Sequence, residues 1–439
     1  MRRQLLADYG MLLVLAGLCA YYSYATWNEQ HPTGPAAAAQ VAATVRAACV
    51  PAARVLVAAQ GNEEGRGFAE AATAQLRADG FSVVATVIGE PPDLAAELRR
   101  AAADSRGLAA LVTTHDASRW RVVQLLPERY PQLRARVISP QSRRYPDFLR
   151  RANLLAIADR IVVIAIVAIG MTMVIITGGI DLSVGSLIAL SAVLATVLIR
   201  RFAGGTAATA EAMVACCLAA ILLCGLTGLF SGSMVAFARI PPFIVTLAMM
   251  LVASGLAFTM AGGQSVYQVP PSIDWLGRGR GLFGLPNTVV LMVALYAAAH
   301  LLMTRTVLGR RIYAVGGNAE AARLSGVPVA GVTLFVYTAC GCLAGLGGIV
   351  QASQLQSGAP TYGLMYELYV IAAVVVGGTS LAGGTGRVLG TLIGAFIIAV
   401  IQNGMNLTGV ESYTQKVVMG LVILGAVLLD QLRSRAWTK

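Results

Sequence analysis

Along most of this chain apolar residues continue without the polar interruptions that a soluble helix or strand needs on its wet face. Stretches approaching the roughly 20 residues that cross a bilayer as a helix recur at 157–177, 183–199, 210–232, 243–261, 287–303, 329–350, 366–379, 388–405 and 413–430. An earlier run at 11–27 follows Arg2 and Arg3. It ends in Tyr21, Tyr22, Tyr24 and Trp27, an aromatic belt of the kind that sits at a membrane interface. That run reads as an uncleaved anchor rather than a signal peptide. The pattern predicts an α-helical polytopic membrane protein with about ten transmembrane helices.

Between 28 and 145 the pattern changes. The linker His31-Pro32-Thr33-Gly34-Pro35 leads into short apolar strands at 54–59, 81–88, 108–113 and 134–138, alternating with amphipathic helices at 66–79, 93–103 and 120–130. Such alternation reads as βαβ units on a parallel sheet. The expected organisation is a first transmembrane span (1–27), a small extracytoplasmic α/β domain inserted before the second span (28–145), and a transmembrane permease-like domain (146–439).

Composition sharpens this: 57% of the 439 residues are hydrophobic and 12% charged, with a mean hydropathy of +0.70. Fifteen of the 33 basic residues fall between Asn28 and Arg150, so the apolar remainder is poorer still in charge. The formal charge of +12 reflects orientation first, because Arg and Lys collect in cytoplasmic loops. With the N-terminus inside, the inner loops carry Arg239, Arg305, Arg310, Arg311, Arg323, Arg387, Arg433, Arg435 and Lys439 besides Arg2 and Arg3. The short outer loops carry Arg200, Arg201, Arg278 and Arg280. Both termini are then cytoplasmic.

Several function classes fall away. No basic helix with interleaved aromatics suggests nucleic acid as a partner. Lysine occurs only at Lys416 and Lys439, neither after a glycine-rich turn, so there is no ATP-binding P-loop. The seven cysteines form no disulfide framework, and His31, His115 and His300 are too scattered for a metal site. No nucleophile, base and orienter cluster is visible, so neither an enzyme nor a cofactor is expected.

The segment Ile175-Ile176-Thr177-Gly178-Gly179-Ile180-Asp181-Leu182-Ser183-Val184-Gly185 places one carboxylate between two apolar runs. An acid at membrane depth belongs at a water-facing break or against a partner, and capping of the helix start at Ser183 is an equal reading. Glu367, in Tyr366-Glu367-Leu368-Tyr369, is the second candidate acid. Gln351, Gln354, Gln356, Gln402, Asn403 and Asn406 offer hydrogen bonds to solute hydroxyls or mark wet helix ends. The glycines from Gly383 to Gly390 imitate a nucleotide fingerprint, but no soluble strand precedes them. Close helix packing and hinge-like breaks account for them. The loop 304–328 opens with Arg305, Arg310 and Arg311, and Asn318-Ala319-Glu320-Ala321-Ala322 reads as a capped short helix at the membrane surface.

The membrane block resembles the permease subunits of bacterial sugar ABC importers of the ribose, galactose, arabinose and autoinducer-2 group. The resemblance is carried by Gly178 to Gly185, by Gly316-Gly317-Asn318-Ala319-Glu320-Ala321-Ala322-Arg323-Leu324-Ser325-Gly326-Val327, and by Met365 to Leu368 running into Gly377 to Gly386. It implies a translocation pathway for a monosaccharide or similar solute. The implied partners are a separate ATPase subunit, a second permease copy or a homologous permease, a periplasmic solute-binding protein and the inner-membrane bilayer. It further implies that Arg310, Arg311, Asn318, Glu320, Ala321, Ala322 and Arg323 belong to an ATPase-coupling element. Asp181, Glu367, Tyr369, Gln351 and Asn403 are the pathway or gate candidates. The family commonly carries an aspartate where this chain has Tyr369, which would alter any role of that acid.

Family permeases join their first two spans by a short loop, so 28–145 is a departure. The insert resembles part of one lobe of a periplasmic sugar-binding protein, through Val55-Leu56-Val57 and Ala110-Leu111-Val112-Thr113-Thr114-His115-Asp116. Such a domain docks a separate binding protein, senses ligand or is a relic. Ligands of open α/β sheets sit beyond the carboxyl ends of the strands, which selects Gln60, Asn62, Thr114, His115 and Asp116. Two other readings stay open: an ion-coupled secondary transporter using Asp181 and Glu367, and a receptor sensing ligand through the insert. Against the receptor, no output domain is expected beyond Lys439.

Overall fold

The structure is a computed structural model describing residues 2–104 and 106–437. Lys439 and the side chains of Arg2, Arg3, Arg433 and Arg435, all counted in the charge asymmetry, lie outside the described residues. The chain divides into two compact units: Met1–Thr26 with Asp147–Lys439, and Trp27–Pro146.

The larger unit begins with α1 (Arg2–Ala25). The smaller unit follows in the order β1 (Trp27–Gln30), α2 (Gly34–Ala48), β2 (Arg54–Gln60), α3 (Glu63–Ala78), β3 (Ser82–Gly89), α4 (Pro91–Ala103) and β4 (Ala110–Thr113). Three short helices, α5 (His115–Ser118), α6 (Arg121–Gln124) and α7 (Leu126–Arg129), precede β5 (Arg136–Ile138) and β6 (Arg143–Pro146). The four-stranded sheet has the order β3-β2-β4-β5 and is parallel throughout. Burial on both faces explains why β2 is an almost unbroken apolar run. Val55, Val57 and Ala59 join α2 and α3 through Val41, Val45, Phe68 and Leu76. Leu56 and Ala58 face the other way, onto Leu94, Leu98, Leu111 and Leu126.

Two expectations are corrected here. The stretch read as a linker contains the start of α2, because Pro35 occupies its first turn, where a missing N–H is harmless. The single helix expected at 120–130 is two short ones, since Pro127 cannot donate to continue α6 and instead opens α7. The sequence pattern also gave no sign of β1 and β6. They pair antiparallel from Trp27 opposite Pro146 to Gln30 opposite Arg143, so the chain enters and leaves this unit side by side.

The larger unit resumes with α8 (Arg151–Ile176), α9 (Val184–Phe202), α10 (Ala210–Ala236) and α11 (Pro242–Ala261). A short α12 (Asp274–Gly277) precedes α13 (Asn287–Arg305), α14 (Val307–Gly317), α15 (Ala319–Leu324), α16 (Val329–Leu355), α17 (Tyr366–Val376), α18 (Val388–Leu407) and α19 (Ser412–Trp437). Among the described residues seven helices are long and apolar enough to cross a membrane: α8, α9, α10, α11, α13, α16 and α18. Shorter apolar helices lie in α1, α17 and α19. α9 is 72% buried over its most apolar window and α11 only 22%, so α9 is central and α11 peripheral. The outer faces of α10, α11 and α19 expose Leu222, Leu251 and Leu421, as lipid-facing helices do.

Small residues allow the helices to approach closely. On α10 and α16, Gly228 lies against the Tyr337 carbonyl and Gly341 against the Cys224 carbonyl, with no room for a side chain. Buried polar groups then link the centre: Thr172 and Thr391 share a hydrogen bond of 2.7 Å between α8 and α18. The Tyr296 hydroxyl donates to the Ala165 carbonyl at 2.9 Å. Thr246 on α11 donates to the Ile180 carbonyl at 3.2 Å.

The three glycine-bearing segments meet at one junction. The Gly384 N–H donates to the Ile176 carbonyl at the end of α8, at 2.8 Å. A Cβ on Gly316 of α14 would strike that same carbonyl and the Gly384 nitrogen. Gly384 itself has φ +72°, a left-handed conformation that L side chains disfavour, and its Cα faces Gly317. The Tyr313 hydroxyl ties α14 to the Gly386 carbonyl at 2.8 Å.

Gly316→Ala is expected to lower the thermal stability of the detergent-solubilised protein by about 1–3 kcal/mol, the usual range for overpacking. Gly317→Ala, whose added Cβ meets nothing within 4 Å, serves as control; equal effects would contradict the packing described. In the smaller unit, Leu56→Ala removes a fully buried side chain and is expected to cost about 2–5 kcal/mol. Urea-dependent proteolysis should then cut within 27–146 at lower urea while the helices of the larger unit persist, and an unchanged profile would refute the assignment.

Candidate functional site

Non-helical backbone is tolerated at membrane depth only where protein or a wet cavity surrounds it. In the segment 177–183, between α8 and α9, Gly179, Asp181 and Ser183 are buried while Gly178 is exposed. Asp181 is fully buried, and its Oδ1 accepts from the Ser183 N–H at 2.9 Å and from the Ser183 hydroxyl at 2.6 Å. The carboxylate thereby orders the entry into α9, whose first N–H groups lack intrahelical acceptors. Among the described residues its second oxygen, Oδ2, has no hydrogen-bond partner, and neither does the buried Tyr337 hydroxyl. The Tyr337 hydroxyl lies against Gly179, and the Cys340 thiol neighbours the carboxylate.

Glu367 is brought to the same helix start. Its Oε2 occupies the space that a side chain on Gly185, in the first turn of α9, would need. A carboxylate there complements the positive end of the helix. The second non-helical segment, 357–365, runs down α9: Gly358 lies against Ala192 and Thr196, and Gly363 against Gly185. It is bracketed by two residues in left-handed conformation, Gln356 (φ 52°) and Met365 (φ 67°).

The remaining pathway candidates separate. Tyr369 is half-buried on α17, edge-on to Tyr366 at 6.5 Å between ring centres. Gln351 on α16 keeps a buried Oε1 without a partner. Asn403 is committed elsewhere: its amide exchanges hydrogen bonds of 2.9 and 3.1 Å with Asn153, whose Nδ2 also reaches the Phe148 carbonyl at 2.8 Å. These bonds tie α18 to the start of α8. Asp159 was not singled out from the sequence, although it is an acid inside the run expected at 157–177. Its Oδ1 accepts from Thr288 at 2.6 Å and from Gln354 at 3.2 Å, joining α8, α13 and α16. Gln356 likewise donates to Asp274.

The stretch 304–328, expected as a loop with one short helix, holds two helices. Thr306 caps α14 by accepting from the Gly309 N–H at 3.1 Å, and Asn318 caps α15 by accepting from the Ala321 N–H at 2.9 Å. Arg310, Arg311, Asn318, Glu320, Ala321 and Arg323 are exposed, as is Leu324 at 79%. Glu320 and Arg323 pair across one turn at 2.6 Å. Ala322 is the exception: it is buried and seats α15 on the unit rather than facing outward.

In the smaller unit, Gln60, Asn62, Thr114, His115 and Asp116 line one cavity of about 160 Å³ together with His31 and Glu64. Thr114 donates to Gln60 Oε1 at 2.7 Å, and Asn62 Oδ1 accepts from the Gly65 N–H at 2.7 Å. The His31 and His115 rings stack with centres 3.2 Å apart. Burial, then the adjacent His31 and Arg119, push the His115 pKa below the ordinary imidazole range, which favours the neutral ring. His31 was missed as a cavity residue because it stands in the stretch read as a linker. No group of three or more metal-ligating side chains occurs among the described residues.

Residues 153–427 match the family described as branched-chain amino acid transport system / permease component. The ribose import permease protein of Escherichia coli (strain K12) is 46% identical over 289 residues, covering 65% of this chain and 87% of that protein. Its counterpart in Bacillus subtilis (strain 168) is 42% identical over 290 residues, covering 66% and 88%. The D-allose transport system permease protein of Escherichia coli (strain K12) is 35% identical over 289 residues, covering 66% and 86%. No solved structure matches the chain. The match spans α8 to α19, the elements that hold the glycine junction, the acids at α9 and the α14–α15 surface. The chain therefore belongs to the family of permease components of branched-chain amino acid transport systems, as a membrane permease subunit similar to the ribose and allose import permeases.

Proposed function

We propose that this subunit forms half of a gated pathway for a monosaccharide or similar small polar solute, completed by a second permease copy or a homologous permease. A separate ATPase subunit docks on α14 and α15, and a periplasmic solute-binding protein delivers the solute on the opposite side. α1, α17 and α19 join the seven longer helices to give about ten spans, with cytoplasmic termini and an extracytoplasmic insert. The arginines exposed beside the glycine junction, at Arg305, Arg310, Arg311 and Arg323, favour that orientation.

The observation that carries this reading is the backbone contact between Gly316 of α14, the Ile176 carbonyl and Gly384. A displacement imposed on α15 reaches the break at 177–183 through atoms already touching, with no soft side chain between. ATP enters only as a ligand that prefers one arrangement of the ATPase pair, and that preference shifts the permease between states. Glu320, Arg323, Arg310 and Arg311 supply the charged docking surface, Asn318 and Ala321 the cap, and Ala322 the seat. Glu367, Tyr369 and Gln351 contribute side chains to the gate. Asp181 fixes the start of α9, and the Asn403–Asn153 pair holds α18 against α8 as the gate works.

Glu320→Arg is expected to reduce ATP-dependent uptake by about tenfold or more through like-charge contact at the docking surface, with membrane insertion intact. Glu320→Arg combined with Arg323→Glu restores the pair within α15 yet should remain impaired; normal uptake in either variant refutes the docking assignment. In vesicles holding the purified subunit alone, a proton or sodium gradient should drive no solute accumulation. Accumulation there would establish the ion-coupled alternative instead.

A further inference from the structure

We propose that the unit Trp27–Pro146 is itself a receptor site, binding one neutral polyhydroxylated molecule of about the size of a single sugar ring in the cavity between the carboxyl ends of β2 and β4. The inference rests on that unit alone and does not depend on the transport reading.

Topology comes first. The chain runs from β2 to β3 on one side and returns to β4 on the other, giving the order β3-β2-β4-β5. The connecting helices therefore leave on opposite faces, α3 among one set of buried residues and α4 among the other. A crevice opens where the order reverses, and in parallel sheets that crevice is where ligands bind. The residues after β2 and those after β4 both face it: Gln60, Asn62 and Glu64 from one side, His115 and Asp116 from the other, with His31 in front of α2.

The lining is then chosen for hydroxyl groups. Among the described residues His31 Nδ1 and His115 Nε2 are buried without a hydrogen-bond partner, and a buried polar atom in that condition calls for a ligand or water. Gln60 uses its carbonyl oxygen on Thr114 and Asn62 uses its own on the Gly65 N–H, so each retains amide hydrogens to donate. Glu64 and Asp116 accept. The cavity thus offers both donors and acceptors, which suits groups that both donate and accept. An anion meets two carboxylates, and an apolar solute leaves the two buried imidazole nitrogens unpaired. The volume of about 160 Å³ falls below the roughly 300–1,000 Å³ of drug-sized sites, which limits the ligand to a single small ring.

The test is calorimetric titration of the full chain in lipid nanodiscs with D-ribose, D-allose and myo-inositol, with putrescine as a cationic comparison. At least one polyol should bind saturably. Asp116→Asn, isosteric at an exposed position, and His115→Asn should each weaken that binding by about tenfold or more. Glu70→Gln, on the exposed side of α3, should leave it unchanged. Saturation by putrescine alone, absence of saturation by every polyol, or binding indifferent to both cavity substitutions would overturn the proposal. None of these outcomes touches ATP-dependent uptake, so its failure and that of the transport reading are separable.

Discussion

A chain that stops being helical inside a bilayer has no water to complete its hydrogen bonds, and the membrane unit is organised around that constraint at 176–185. The Ile176 carbonyl, released at the end of α8, is taken by the Gly384 N–H. The Ile180 carbonyl lies 3.2 Å from the Thr246 hydroxyl of α11, which shares its one proton with the Pro242 carbonyl at 3.0 Å. At the other end of the break, Asp181 orders the residues that enter α9. The first two of these contacts need a partner from a distant part of the sequence, so the break is complete only once α11 and the segment after α17 are in place. Leaving such groups unpaired costs several kcal/mol each in hydrocarbon, more than any single helix contact returns.

The same constraint explains why glycine collects at the junction. A carbonyl and an N–H can meet across segments only if nothing projects between the backbones, and at Gly316 even a methyl group would displace the Ile176 carbonyl. The proposed coupling between the surface helices and the break relies on this packing. Close-packed backbones switch between arrangements instead of deforming gradually.

Much of this was legible in the sequence. The charge-poor runs marked the long helices, and Asp181, alone in an apolar stretch, marked the break. The alternation of 54–138 gave strands and helices in the right order, because a parallel strand buried on both faces has to be a short unbroken apolar run. Other features left no local trace. β1 and β6 lie more than a hundred residues apart and hold few apolar residues, so only their pairing makes them strands. The role of Asp159 appears only when Thr288 and Gln354 arrive from α13 and α16. Asn403 looked available to a solute; its commitment to Asn153 is a fact of tertiary packing. Composition could select these side chains but not count their partners.

The pairing of β1 with β6 also bears on how a permease accommodates an inserted unit. Insertions are tolerated when both ends of the added segment meet at one place, since the host then experiences no more than a short connection. Here Trp27 stands opposite Pro146. In the host, the Asp147 N–H donates to the Thr26 carbonyl at 3.0 Å and the Phe148 N–H to the Thr26 hydroxyl at 3.1 Å. The host backbone is therefore closed on itself as though a tight turn joined 26 to 147. The inserted unit has its own two-sided core, so neither part needs the other's residues to bury its apolar surface.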